Sequence, residues 1–378
     1  MIFRLGELFC GPGGLGLGAS RAKIRKGGRP WGVTHAWATD YDADACDTYR
    51  RNLCPKDPDS VVCKDIRQLD FNQLGPIDAL AFGFPCNDYS IISERKGING
   101  KFGPLYTFGV RALEHFQPMW FIAENVGGLR SADDGSTIRQ ILEELENVAP
   151  GYRLTTHLYK FEEYGVPQTR HRLIIVGVRA DQELQFAVPA PTQLISFRTV
   201  AEALKQPPIP GEAPNHEPTR QSPRVVERLK HIKPGENAWN ARLPPALRLK
   251  VKGAKLSQIY KRLDPRKPSY TITGSGGGGT HCYHWAENRA LTNRERARIQ
   301  TFPDDFIFYG GKESVRRQIG MAVPPLAAQE LVTAVLKTFA EVRYKGVPAF
   351  WGNDTIGKKG TVPPNLPFNF AVAPPERP

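Results

Sequence analysis

Leu5-Gly6-Glu7-Leu8-Phe9-Cys10-Gly11-Pro12-Gly13-Gly14-Leu15-Gly16 is the stretch from which the fold is read. A short apolar strand, Leu5 to Cys10, runs into a glycine turn, and a helix can begin at Gly18. Gly11, Gly13 and Gly16 keep the spacing GxGxxG between strand and helix. Glycines in such a turn let the backbone approach a ligand. Asp40 stands 24 residues after Gly16, at the carboxyl end of a second apolar run, Val33 to Thr39. An acid so placed can bind ribose hydroxyls. By itself the pattern suggests a dinucleotide oxidoreductase or a mere tight turn.

Outward from this stretch, strands and helices alternate. Gly18 to Arg25 and Ala43 to Asn52 read as helices. Val61-Val62-Cys63 leads to Asp65. Ala79 to Phe84 is a strand that stops at Pro85, and Met119 to Ala123 one that stops at Glu124. Ile138, Ile141, Leu142 and Leu145 have helical spacing within Ser136 to Val148, and Leu173 to Val178 is a buried-type strand. This order predicts an α/β fold with a Rossmann-like, doubly wound, mostly parallel sheet. Ligands of such sheets bind beyond the carboxyl ends of the strands. Phe9, Asp40, Asp65, Pro85-Cys86 and Glu124 all fall there.

From about Pro191 the alternation stops. Prolines cluster, and Gly276 to Gly279 form a run of four glycines. Between Gln193 and Asn288 there are 16 Lys/Arg and 7 Asp/Glu, so this quarter of the chain holds +9 of the net +13. Charge concentrated in one segment points to a polyanion, because neutralised phosphates release counterions. Tyr260, Leu263, Tyr270 and Trp285 supply enough apolar material for a small, loop-rich inserted domain. Thr292 and Glu295 have capping-box spacing, so a helix begins there. Leu326 to Val342 reads as a further amphipathic helix, and the Pro/Gly-rich residues 346–378 as a loose or wrapping tail. No apolar run reaches 18 residues and no secretion signal is visible, so neither a membrane span nor export is expected. The six cysteines lack CxxC spacing, as reduced thiols do in a cytoplasmic protein. His281-Cys282-Tyr283-His284 is the one dense His/Cys cluster; without partners at ligand spacing it predicts no metal.

Pro85-Cys86 lies in a turn after an apolar strand, and Glu124-Asn125-Val126 follows 38 residues later. A thiolate paired with a proton-handling carboxylate suits attack on an electron-poor ring. Gln168-Thr169-Arg170-His171-Arg172 precedes a buried strand, and strand alternation would put Gln168, Arg170 and Arg172 on one face.

These segments, with Arg289 to Pro303 and Gly320-Met321-Ala322-Val323-Pro324, resemble the cytosine-5 DNA methyltransferase family of bacterial type across most of the chain. The resemblance implies a class I methyltransferase domain at 1–191, completed by 321–345, and a target-recognition domain at 192–320. It implies S-adenosylmethionine as methyl donor, leaving as S-adenosylhomocysteine. Phe9 would face its adenine ring, Asp40 would hold the ribose, Tyr41 would pack on it and Asp65 would reach the adenine amino group. Gly11, Gly13, Gly14, Leu15, Ile66, Phe84, Pro85, Ala322 and Val323 would complete that site. Cys86 would add to carbon 6 of a cytosine flipped out of double-stranded DNA, with Glu124 at ring nitrogen 3. Arg172 would touch the base oxygen, and Arg170 would steady the nucleophile loop. Asn87 and Met321 replace residues usual in the family. The expected DNA contacts are Ser90, Arg95 and Lys96 in a mobile lid, Arg242 and Lys252 on phosphates, and Ser275, Gly277, Gly278, Thr280 and His281 near the bases. The chain would act as a monomer, in the cytoplasm on the nucleoid, with a cognate restriction endonuclease acting separately. A tRNA cytosine-5 methyltransferase would share the catalytic segments and remains the alternative; a nicotinamide oxidoreductase ranks below it.

Overall fold

Apolar runs that alternate with amphipathic ones bury both faces of a parallel sheet. The structure, a computed structural model, describes residues 1–84, 105–129, 135–250, 256–274, 280–350 and 369–370. The chain forms two compact units, one of Met1–Lys160, His171–Pro191 and Ala327–Pro378, the other of Phe161–Arg170 and Thr192–Leu326.

In the first unit, β1 (Ile2–Leu8), α1 (Gly14–Arg21), β2 (Lys23–Lys26), β3 (Arg29–Asp40), α2 (Ala43–Leu53), β4 (Val61–Cys63), β5 (Ala79–Gly83), α3 (Tyr106–Phe116), β6 (Trp120–Val126), α4 (Ser136–Asn147), β7 (Tyr152–Lys160), β8 (His171–Arg179) and the short β9 (Val188–Pro189) follow one another. The sheet runs β2-β3-β1-β5-β6-β8-β7, with β4 added to β3. β1 is parallel to both β3 and β5, and β5 to β6. β8 is antiparallel to β6, and β7 to β8. The chain builds outward on one side of β1, returns, and builds on the other, so the carboxyl ends of β1, β3, β5 and β6 surround the switch point. Beneath them, Phe82, Leu113, Phe121, Ile138, Ile141, Leu145 and Ile175 form one buried cluster. Of the residues expected from helical spacing in α4, Ile138, Ile141 and Leu145 are buried and Leu142 is partly buried.

Two local expectations change. The helix after the glycine turn ends at Arg21, and Lys23–Lys26 pairs antiparallel with β3. Gly27 and Gly28, at φ +57° and +76°, make the two-residue hairpin turn between them. The strand carrying Glu124 extends to Val126, so the acid sits within the ladder rather than past its end.

The second unit holds α5 (Val200–Lys205), α6 (Pro223–Lys230), α7 (Asn293–Ile299) and α8 (Lys312–Met321), joined mostly by loops. Leu229, Ile232, Leu243, Tyr260 and Tyr283 form its own core. The Tyr260 and Tyr283 rings stack at 5.7 Å, and the Arg228 guanidinium lies 4.5 Å above Tyr260. Leu263 and Trp285 are buried as expected. The predicted capping box opens α7, with Glu295 N 3.1 Å from Thr292 Oγ1 and Thr292 N 2.8 Å from Glu295 Oε2.

α9 (Pro325–Phe339) then returns the chain to the first unit. There β10 (Lys345–Val347) pairs antiparallel with β9 and with β11 (Asn369–Phe370). The stretch Lys312–Phe339, which holds both α8 and α9, is long and apolar enough to cross a membrane, but 67% of its most apolar window is buried inside the protein, as in core helices.

Candidate active site

The turn after β1 is shaped by two positive φ glycines, Gly11 at +53° and Gly13 at +90°, with Phe9 also left-handed at +55°. Gly13 caps α1 through its backbone, with no side chain over the helix start. A Cβ on Gly11 would meet nothing within 4 Å, so the turn leaves free space on that side. Asp40, at the end of β3, ties the turn down: Gly11 N donates to Oδ2 and Asp42 N to Oδ1, each at 2.9 Å. Burial pushes the Asp40 carboxyl above its ordinary range, against these two hydrogen bonds. Next to it, Tyr41 is 70% exposed, an apolar face standing in the open at a strand end. Gly14 and Leu15 are buried at the start of α1.

Asp65 follows β4. Its carboxylate accepts from the Arg67 side chain and backbone and is held at about 2 by those bonds. Ile66 is buried with Phe84 in the core cluster.

The register of β5 and β6 sets Gly83 opposite Glu124. A Cβ on Gly83 would lie 3.2 Å from Glu124 Oε2, so the residue before Phe84-Pro85 passes directly by the carboxylate. Asn125 Nδ2 donates to the Phe84 carbonyl at 3.3 Å. Across the antiparallel pair β6–β8, Arg172 Nε meets Glu124 Oε1 at 2.8 Å, and both side chains are only 14% exposed. A carboxylate so held is fixed in direction and charge-paired.

Gln168 and Arg170 precede β8, which begins at His171, so the expected three-residue face does not form. Both belong to the second unit. Gln168 bonds to Gln300 and to Ile272 N, and Arg170, 1% exposed, donates from Nη1 to the carbonyls of Ile272 (3.3 Å) and Gly320 (3.1 Å). Ala322 and Val323 are buried in that unit, whereas Met321 is exposed. Arg242 is exposed; Thr280 and His281 are half-buried. Pro85, Cys86, Ser90, Arg95, Lys96, Lys252, Ser275, Gly277 and Gly278 lie outside the described residues. Among the described residues no group of three or more His, Cys, Asp or Glu could hold a metal ion.

Two participants escaped the sequence reading. Asn125 was visible only as part of its triplet, and its hold on Phe84 depends on the β5–β6 register. Glu7 lies buried under the glycine turn, where burial raises its carboxyl to about 8. Its signal was an acid within the apolar run Leu5 to Cys10.

A doubly wound sheet with added antiparallel strands and a glycine turn after its first strand has the architecture of the class I methyltransferases. A family model described as C-5 cytosine-specific DNA methylase matches residues 3–337. The chain is 56% identical to the Type II methyltransferase M.BbvI of Brevibacillus brevis, over 96% of this chain and 98% of that protein. It is 40% identical to the Type II methyltransferase M.NgoFVII of Neisseria gonorrhoeae, over 89% and 87%. A solved structure of a DNA modification methyltransferase encoded within an E. coli prophage has the same fold, with a TM-score of 0.66 at 24% identity over 89% of this chain and 99% of that one. The chain therefore belongs to the C-5 cytosine-specific DNA methylase family. It is a DNA (cytosine-5-)-methyltransferase of the restriction-modification type, and the tRNA alternative loses ground.

Proposed function

We propose that transfer to carbon 5 proceeds through a covalent bond between Cys86 and carbon 6 of a cytosine flipped out of duplex DNA. The observation that carries this reading is the passage of Gly83 beside the Glu124 carboxylate, with Asn125 holding the Phe84 carbonyl. The chain enters Pro85-Cys86 from that point. Addition of the thiolate to carbon 6 drives electrons toward ring nitrogen 3, and Glu124 stabilises or protonates that nitrogen. Arg172 keeps Glu124 aimed and offers donors to the base oxygen. Once carbon 5 has taken the methyl group, its proton passes to solvent and the electrons of that C–H bond re-form the ring double bond as the sulfur leaves as thiolate.

The glycine turn fits S-adenosylmethionine by its open side at Gly11, the exposed ring of Tyr41 and the anchored acid Asp40. Phe9, Gly13, Gly14, Leu15, Asp65, Ile66, Phe84, Pro85, Ala322 and Val323 would share in holding it. When bound, the sulfonium supplies an activated methyl group. The second unit would read the target, with Arg242 and Lys252 on phosphates and Thr280 and His281 near the bases. Ser90, Arg95 and Lys96 would close over the extruded base, with Ser275, Gly277 and Gly278 in the reading loop. The enzyme would protect cytoplasmic DNA from a separate endonuclease and work as a monomer.

The test is a trapped adduct. After bisulfite mapping of the modified site, a duplex with 5-fluorocytosine at the target should form a denaturation-resistant complex in the presence of S-adenosylmethionine. Cys86→Ser should form none, and an adduct with that variant would remove Cys86 from the chemistry.

A further inference from the structure

A chain of polar groups, buried at Glu7 and Tyr49 and half-buried at His35 and Ser60, starts under the glycine turn and ends at the surface of the first unit, and the proposed methyl transfer does not use it. Glu7, at the carboxyl end of β1, is 3% exposed. The Tyr49 hydroxyl, on α2, lies 3.1 Å from Glu7 Oε2 and 3.2 Å from His35 Nδ1, on β3. His35 Nε2 lies 2.8 Å from Ser60 Oγ, and Ser60 donates to the Asp57 carbonyl at 2.5 Å.

Counting hydrogens fixes the states available. Ser60 spends its hydrogen on Asp57, so His35 Nε2 must donate to Ser60. Two contacts remain, Nδ1 to Tyr49 and Tyr49 to Glu7, and each needs one hydrogen. Tyr49 brings one. The other sits either on Glu7, with Tyr49 donating to His35, or on His35 Nδ1, with Tyr49 donating to Glu7. With neither protonated, two lone pairs face each other. With both protonated, the phenol hydrogen, or the acid hydrogen if it sits on Oε1 and leaves Oε2 to accept, has no acceptor among the described residues. Glu7 and His35 therefore share one proton. Burial raises Glu7 and lowers His35, which at rest leaves the proton on Glu7 and every member neutral. Asp40 and Cys10 also face Glu7, Cys10 and Cys54 face Tyr49, and Asp57 faces His35. Burial holds the Cys10 and Cys54 thiols above their ordinary range, so neither enters the exchange near neutral pH.

We propose that Tyr49 and His35 are positioning residues for the methyl-donor site, which pass the proton of Glu7 to His35 when a cation occupies the glycine turn. This holds given the reading of that turn as the S-adenosylmethionine site. The Glu7 Oε2–H bond breaks as its hydrogen moves to Tyr49 Oη, and the hydrogen already on Oη moves to His35 Nδ1. Carboxylic acid and imidazole become carboxylate and imidazolium, and no proton leaves the protein. The new carboxylate attracts the sulfonium. S-adenosylhomocysteine, neutral at sulfur, draws no such response. The relay thus favours the methyl donor over the spent product.

The measurement is the ratio of the two dissociation constants, S-adenosylhomocysteine over S-adenosylmethionine, by calorimetry from pH 6 to 7.5. Wild-type protein should give a flat ratio, because the proton moves internally. Tyr49→Phe and His35→Gln should give a ratio that climbs with pH by up to about tenfold per unit, because Glu7 then ionises only by losing its proton to water. His35→Gln keeps a polar group against Ser60 and guards against misfolding of the first variant, with circular dichroism as the check on both. Equal slopes in all three proteins overturn the relay. Asp40→Ala tests the site separately: undiminished binding of both ligands by that variant would overturn the site assignment, whatever the slopes.

Discussion

Glu124 is held from two sides, by the Arg172 guanidinium at 2.8 Å and by the backbone of Gly83, where even a methyl group would come within 3.2 Å of its oxygen. Its position is thus set by the absence of a side chain on a neighbouring strand. Gly83→Ala should push the carboxylate aside and lower kcat by at least tenfold, with S-adenosylmethionine affinity and melting temperature nearly unchanged. Glu124→Gln keeps the shape but cannot donate or take a proton, and should lower kcat by about 10²–10⁴. Single-turnover methyl transfer measured beside cofactor titration separates the two effects; an equal loss of cofactor affinity would make Glu124 a cofactor residue. The acid itself was legible, because Glu-Asn-Val at a strand end is a short local signal. Its partner was only half legible. Arg172 was visible as a candidate, but its ion pair depends on the antiparallel register of β6 and β8, which the 47 intervening residues do not encode locally.

At the scale of elements, the same division between local and non-local signals recurs. The start of α7 was readable because Thr292 and Glu295 lie within one turn of each other. The structure adds what that spacing could not contain: Arg289 grips the Glu295 carboxylate with both terminal nitrogens, at 2.7 and 2.8 Å. Thr292→Ala removes one cap and should cost about 1 kcal/mol, seen as a lower urea midpoint at unchanged slope. Glu295→Ala should cost more, since it also strips Arg289 of a partner. A smaller loss for Glu295→Ala than for Thr292→Ala would mean that the fork contributes nothing. The hairpin of β2 and β3 was misread because the helical pattern of α1 runs on into Lys23, while its true marker was the pair Gly27-Gly28. β7 was not anticipated at all. Tyr152–Lys160 is covered on one side by β8 and carries a mixed burial pattern, so neither period stands out in its sequence.

Over the whole molecule, buried titrating groups of opposite sign set how stability varies with pH. Glu7 carries its proton up to about pH 8 in the folded chain, against 4.5 for an ordinary glutamate. Its contribution is therefore complete below pH 4.5 and is lost as pH rises toward 8. His157 and His281 run the other way: burial lowers each to about 4 from 6.5. Their contributions are complete above pH 6.5 and are lost as pH falls toward 4. His157 shows why, since its Nδ1 accepts a hydrogen bond from Phe350 N that protonation would break. Between pH 4.5 and 6.5 these two histidines, joined by His35 and His284, which burial also lowers, outweigh Glu7 and the raised Asp40 carboxyl, and stability rises with pH. Between 6.5 and 8 only Glu7 still changes, and stability falls by up to about 1.4 kcal/mol per unit, or roughly 2 kcal/mol in all. The melting temperature should therefore peak near pH 6.5. Glu7→Gln keeps the shape and a hydrogen-bonding group but cannot ionise, so it should flatten the alkaline limb and leave the acid limb in place. Scanning calorimetry of both proteins from pH 5 to 8 decides the point: an alkaline limb that survives in the variant would mean that Glu7 is already ionised in the folded protein, and the proton it is said to share with His35 would not be there.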